Sequence, residues 1–176
     1  ENIGDMYMND KHPSIQDIKA AIRRGVRNRN FIPAHIGSAL KNKGIQPLID
    51  SAIDYLPDPS EVENFAIRIS DGEKVKLDSS RSRDSPAVAL AFKLESAHYG
   101  QLTYIRMYQG QIVKSDILLN TRTNKPIRAP RLVLIHAKEM KEAQALTAGD
   151  IGAFFGLDCN SGDTFVHSKS EPLSLV

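Results

Sequence analysis

The stretch HIGSALKNKG, residues 35–44, comes nearest in this chain to a phosphate loop. Such a loop needs two glycines with four residues between them, followed by Lys and then Ser or Thr. The glycines let backbone N–H groups close on the phosphates, the Lys neutralises them and the hydroxyl ligates Mg²⁺. Gly37 and Gly44 are too far apart, and Ile45 follows Gly44. No other stretch fits better, so a phosphate cradle is excluded on spacing. A second cluster is NTRTNKPIRAPR, residues 120–131, in which Arg122, Lys125, Arg128 and Arg131 recur every third residue. Pro126 and Pro130 forbid a helix there. The expectation is two strands joined by a turn at TNKP, with the four charges fanned around the hairpin tip. No acidic residue occurs from Leu118 to Lys138. The segment therefore reads as a surface for phosphate-backbone contacts, or as a solvated hairpin. It holds no aromatic residue, which argues against base stacking.

Other reactive residues do not assemble into a site. Cys159 and His136 make a nucleophile and base only in principle, since no orienting acid or oxyanion loop is identifiable. His12, His35, His98, His136 and His167 are too scattered for a metal site, so neither a metal nor a catalytic residue is assigned. Asp116, Asp150 and Asp163 each sit at a Gly- or Ser-rich stretch, where turn capping is the expected role, and Gly149 and Gly162 read as turn glycines.

With 176 residues, 41% hydrophobic and 25% charged, the chain allows one good domain, or a small domain plus a fragment. A net charge of +2 excludes a general polycation, so any nucleic-acid affinity must be local. A single cysteine excludes a disulfide framework. No apolar run approaches the ~20 residues that cross a bilayer, and no membrane partner is expected. The opening ENIGDMYMND has neither an initiator Met nor signal-peptide character, and hints at an excised fragment, from which a transit peptide could have been lost upstream.

These side chains need elements to carry them. Residues 14–29 predict a helix, with Ser14 as N-cap, Asp17 completing a near capping box, and Ile15, Ile18, Ile22 and Val26 as its apolar stripe. Lys19, Arg23, Arg24, Arg27 and Arg29 occupy the remaining surface, as a solvated face or an RNA contact. FIPAHI, 31–36, is expected to be a buried strand weakened by Pro33. IQPLIDSAIDYL, 45–56, predicts a second helix that PDPS ends. Together these predict the tail of an α/β unit that lacks its sheet partners. Residues 61–85 read as a linker around one weak strand. Beyond them, PAVALAFKLE, GQLTYIRMYQG, DILLNTR, RLVLIHA and IGAFFGL are short β-rich runs between turn signals, which predicts an all-β barrel over 86–168. In the second run Leu102, Tyr104, Arg106 and Tyr108 alternate with Thr103, Ile105 and Met107. Residues 169–176 are left as a tail.

Taken in order, GSALKNKG, DSAIDYLPDP, PAVALAFKLE, YGQLTYIRMYQG, ILLNTR, IHAKEM and AGDIGAFFGLDCNSGDTF resemble elongation factor G over roughly residues 14–165. NTRTNKPIR and GLDCNSGDTF are most similar to its mitochondrial-type form. Ser115, in VKSD, departs from the Gly usual before that Asp and puts the turn geometry in question. The resemblance implies a fold class in two parts: an α/β fragment, the tail of a P-loop GTPase domain over 1–60, then a translation-factor-type β-barrel. It implies that GSAL is a guanine-base loop. Ala39 N–H would donate to the guanine O6, Ser38 would fix the loop and Leu40 would pack beside the ring. A backbone donor selects guanine because adenine presents a donor at that position.

The family's phosphate loop, switch segments and Asn-Lys-x-Asp motif would lie upstream. GTP with Mg²⁺ is therefore implied for a longer parent, and the 176-residue piece is expected neither to hydrolyse GTP nor to bind it measurably. The implied partners are the ribosome, through small-subunit rRNA at Arg122, Lys125, Arg128 and Arg131, and the parent's remaining domains. The implied activity is movement of tRNA and mRNA during translation, and the implied location is the mitochondrial matrix, with the cytoplasm as the alternative. A ribosome-recycling paralogue and a stand-alone RNA-binding barrel remain as rival functions.

Overall fold

The computed structural model describes residues 2–97, 100–137 and 139–175, and its chain divides into two compact units, Glu1–Asp58 and Pro59–Val176. The first unit holds three helices, α1 (Asn2–Met8), α2 (Ile15–Arg27) and α3 (Ile45–Tyr55). Helix α2 starts where the sequence places it. Ser14 Oγ accepts the Asp17 N–H at 3.2 Å, and Asp17 Oδ2 accepts the Ser14 N–H at 3.0 Å, closing a capping box. Pro47 falls in the first turn of α3, where its missing N–H costs no helical bond. The two helices are tied at Asp54, whose carboxylate accepts from Lys19 Nζ at 2.7 Å and whose carbonyl accepts from Arg23 at 2.8 Å.

The strand expected at 31–36 does not form. Pro33 has no N–H to donate, and among the described residues this unit offers no neighbouring strand to pair with. The segment instead runs irregularly and lays the Phe31 ring on Gly25, so closely that a Cβ at Gly25 would collide with it. Gly25 is the one buried residue among those described in this unit. Val26, Phe31, Pro33, Leu48, Ala52 and Tyr55 line an open apolar groove of about 390 Å³.

The second unit is built of strands. They are β1 (Phe65–Arg68), β2 (Lys74–Lys76), β3 (Val88–Ala97), β4 (Gly100–Gln109), β5 (Gln111–Val113), β6 (Ile117–Asn120), β7 (Lys125–Arg128), β8 (Arg131–His136), β9 (Glu139–Glu142), β10 (Ala145–Thr147), β11 (Ile151–Phe155), β12 (Thr164–His167) and β13 (Leu173–Ser174). Eight form one antiparallel sheet in the order β7-β6-β12-β3-β4-β11-β8-β9, and β10-β5 form a second. Both sheets send side chains into one core, as a barrel does. Thr103, Ile105 and Met107 from β4, Ile112 from β5, Leu146 from β10, and Phe154 and Phe165 are all fully buried. The alternation read in GQLTYIRMYQG therefore resolves with Thr103, Ile105 and Met107 inward and Leu102, Tyr104, Arg106 and Tyr108 outward.

The stretch expected as a linker around one weak strand carries two, β1 and β2, joined across Asp71 and Gly72. The expected tail carries β13, which pairs with β1 to make a third sheet, β13-β1-β2. Ala66, Leu77, Leu173 and Leu175 from this sheet and its flanks pack with Val88 and Val166, on the outer side of β3 and β12. Turn signals that escape a search for apolar runs, such as the Asp-Gly pair at 71–72, mark the missed hairpin. No helix among the described residues is long and apolar enough to cross a membrane.

Candidate nucleotide-base loop and nucleic-acid interface

The loop at 37–44 is pinned at its neck. Ser38 N–H donates to the Lys43 carbonyl at 2.9 Å, and Lys43 N–H donates back to Ser38 at 3.1 Å. Two glycines allow so tight a neck. A Cβ on Gly37 would lie 2.7 Å from the Lys43 oxygen, and one on Gly44 would lie 2.8 Å from the Ile36 oxygen. Gly44 also holds φ +76°, a left-handed conformation that suits a residue without Cβ. Within the loop Ser38 Oγ accepts the Lys41 N–H at 3.4 Å, and Ala39 carbonyl accepts the Asn42 N–H at 3.1 Å. Among the described residues the Ala39 N–H has no acceptor. Leu40 is 97% exposed. The loop thus presents the free backbone donors of Ala39 and Leu40 beside a bare aliphatic side chain, all held by the paired neck. Such a tip can bond and cover the edge of a planar carbonyl-bearing ring, and it brings no charge for phosphates.

The basic segment is arranged differently from the fan around a hairpin tip expected on sequence. Strands β6 and β7 do pair, with Asn120 opposite Lys125 and Ile117 opposite Arg128, but the connecting turn is Thr121–Asn124. Arg122, in that turn, stays half-exposed but binds the buried carboxylate of Asp163 through two nitrogens. Asp163 is 1% exposed and also accepts Asn120 Nδ2 at 2.7 Å and the Asn160 N–H at 3.0 Å. Burial pushes this carboxyl up, yet Arg122 and the two amide donors outweigh it and hold it below the ordinary carboxylate value. The same contact raises Arg122. Arg131 is not on the hairpin at all: it begins β8 and lies 3.5 Å from Glu142, which also binds Lys114 at 2.8 Å. The reason is spatial. Acids absent from 118–138 return from beyond it, Asp163 from the turn before β12 and Glu142 from β9. Only Lys125 and Arg128 of the four are exposed without an ion-pair partner among the described residues. They stand on β7, an edge of the eight-stranded sheet.

The remaining candidates resolve as structural groups. Asp116 accepts the Val113 N–H at 2.8 Å and Asp150 accepts the Thr147 N–H at 2.9 Å, so both cap turns, as Asp163 does at Asn160. Asp150 also binds Arg81, and Asp116 lies 3.3 Å from His167. Cys159 is buried beside Thr103, 3.5 Å from its hydroxyl, and burial pushes its thiol up, away from nucleophilic use. Among the described residues no group of three metal-ligating side chains comes together.

Comparison with known proteins agrees with the sequence. The family model for elongation factor G domain 2 matches residues 86–168. Curated proteins named elongation factor G, mitochondrial, from Aedes aegypti and Drosophila melanogaster are each 48% identical over 99% of this chain. The one from Culex quinquefasciatus is 48% identical over 98%. In all three the chain spans about a quarter, 24%, of the relative's length. A crystal structure of a protein from Thermus thermophilus superposes with a TM-score of 0.66 over 97% of this chain and 23% of that one. At 22% identity that likeness is one of fold. With near-half identity running through both units and the domain match inside the barrel, the chain belongs to the elongation factor G family.

Proposed function

We propose that this chain is part of a ribosomal translocase GTPase of mitochondria. In it, residues 1–58 are the tail of the GTP-binding domain and the barrel is a docking face on small-subunit ribosomal RNA. The observation that carries the reading is the 48% identity to mitochondrial elongation factor G along 99% of the chain. Local geometry supports its parts. Ala39 N–H is a free donor for a guanine O6, Ser38 fixes the loop and Leu40 is exposed where the ring would lie. Placing adenine there would set two donors face to face, which costs about 1–3 kcal/mol. GTP and its Mg²⁺ would be held by phosphate-binding segments upstream in that same GTP-binding domain, and the matrix is the compartment such a protein would serve.

For RNA the candidate contacts narrow to Lys125 and Arg128, because Arg122 serves Asp163 and Arg131 shares Glu142. The test is binding of the full-length protein to small ribosomal subunits at several salt concentrations, beside Lys125→Ala/Arg128→Ala. Affinity lost in the variant, with a salt slope lower by about two charges, is the expected result. Equal affinity and equal slope would leave both cations as protection for a sheet edge.

A further inference from the structure

The outward face of β3, β4 and β11 carries a group of side chains that neither the base loop nor the basic edge uses. Strand β3 has a bulge: Ala91 pairs with Ile105 and Lys93 with Tyr104, so Phe92 is the extra residue between them. A bulge re-aims the residue it inserts, and here it puts a phenyl ring, 43% exposed, on the outside of the barrel. The ring lies 6.2 Å from Tyr104, centroid to centroid. With Leu90, Arg106, Tyr108 and Ile151 it lines a depression of about 220 Å³. Ile151, on its rim, is 56% exposed. Arg106 lies with its guanidinium carbon 4.9 Å from the Tyr108 ring centroid, and its Nε is fully buried with no acceptor among the described residues. A buried donor left unpaired is unfavourable, so the site is incomplete until an acceptor arrives.

We propose that this depression is the socket for a carboxylate-bearing segment of the same polypeptide, from residues outside the 176 of this chain. The carboxylate would take Arg106 Nε, and an adjoining apolar side chain would fill the space between Phe92 and Ile151. Charge decides against RNA. Arg106 is the one cation among the described residues that line the depression, and Lys93, on β3, stands over Tyr104 and lies 3.7 Å from Glu95, so the described face offers no row of free cations for a phosphate backbone. Aromatic residues, Ile and a central Arg around a desolvated donor are the make-up of a protein-interface core. The source of the segment follows from length: relatives of this chain are about four times as long. The proposal thus rests on this chain being part of such a longer protein.

The test is photo-crosslinking in the full-length protein, with p-benzoylphenylalanine in place of Ile151 and, as a control on another part of the barrel, in place of Ile117. The expected product is an intramolecular cross-link from 151 to an acid-containing peptide outside these 176 residues, missing from the 117 control. Arg106→Gln should lower its yield roughly tenfold, the loss of one charge-assisted hydrogen bond. A cross-link to RNA, to another protein or to residues within this chain would overturn the proposal, and so would no cross-link. If Arg106→Gln unfolds the protein, the cross-link from position 151 with Arg106 intact still decides. Ribosome binding by the Lys125/Arg128 variant is read separately, so the docking proposal and this one fail independently.

Discussion

The two units of this chain contain the same kinds of apolar residue and use them in opposite ways. In the barrel, Phe154, Phe165, Ile105, Met107 and Leu132 are sealed from water. In residues 1–58, Ile15 is 73% exposed, Ile32 90% and Ile53 70%, although α2 and α3 have well-formed stripes and α2 a complete cap. Local rules built the helices, while burial needed partners that local rules do not supply. A helix can be specified by its own sequence and still hold little of a protein's stability.

The largest expected expression of that contrast is in amide hydrogen exchange of the 176-residue chain. Amides of α2 and α3 should exchange at least about a thousandfold faster than those of β4 and β11, because only the latter open through loss of the buried core. Equal rates would break the comparison and mean that the first unit is stabilised by contacts other than burial.

Next in size is the ion pair that welds the β6–β7 turn to the turn before β12. Asp163→Asn would leave Arg122 without its anion and set an amide NH2 against one of the donors that now share the carboxylate, costing about 2–3 kcal/mol at neutral pH. The folded Asp163 sits below its unfolded value of about 3.9, so its contribution is complete above that value and fades as pH falls through the lower, folded one. In denaturant titrations the gap between the two proteins should therefore hold steady down to about pH 5 and close below about pH 4. A gap that closed on raising the pH instead would contradict this assignment.

The smallest effect sharpens the barrel's own account. Ser115 holds φ +74°, a left-handed conformation unfavourable for a residue with a Cβ. Ser115→Gly should raise stability by about 0.5–1 kcal/mol, measured as a shift in denaturation midpoint at unchanged m-value. No gain would mean that the serine contributes something the turn geometry does not reveal.

What was legible in the sequence divides along the same line. Ser14, Asp17 and the stripe from Ile15 to Val26 specified α2, and the alternation through Leu102–Tyr108 gave the two faces of β4, because each depends on neighbours a few residues away. FIPAHI has strand composition but no strand beside it, which composition cannot report. Hairpin β1–β2 was read as a linker because polar residues outweigh its apolar ones, although Ala66 and Leu77 are nearly sealed. For the candidate site, the loop at 37–44 could be located by its resemblance. The fate of Arg122 and Arg131 could not, since Asp163 lies 41 residues from Arg122 in sequence and meets it only after the strands pair. Charge counted along a chain differs from charge counted across a surface.

The pairing of β13 with β1 bears on what a domain is in this protein. The segment that the family's domain 2 model matches runs from 86 to 168, whereas β1, β2 and β13 lie outside it and seal Val88 and Val166 from beyond both of its ends. Cutting the chain at the limits of that domain match would strip the lining from one side of the barrel and bare a patch of valine and leucine to water. The portion that recurs as a module is thus smaller than the portion that closes as a body, and exchange of this module between proteins would have to carry its flanks along.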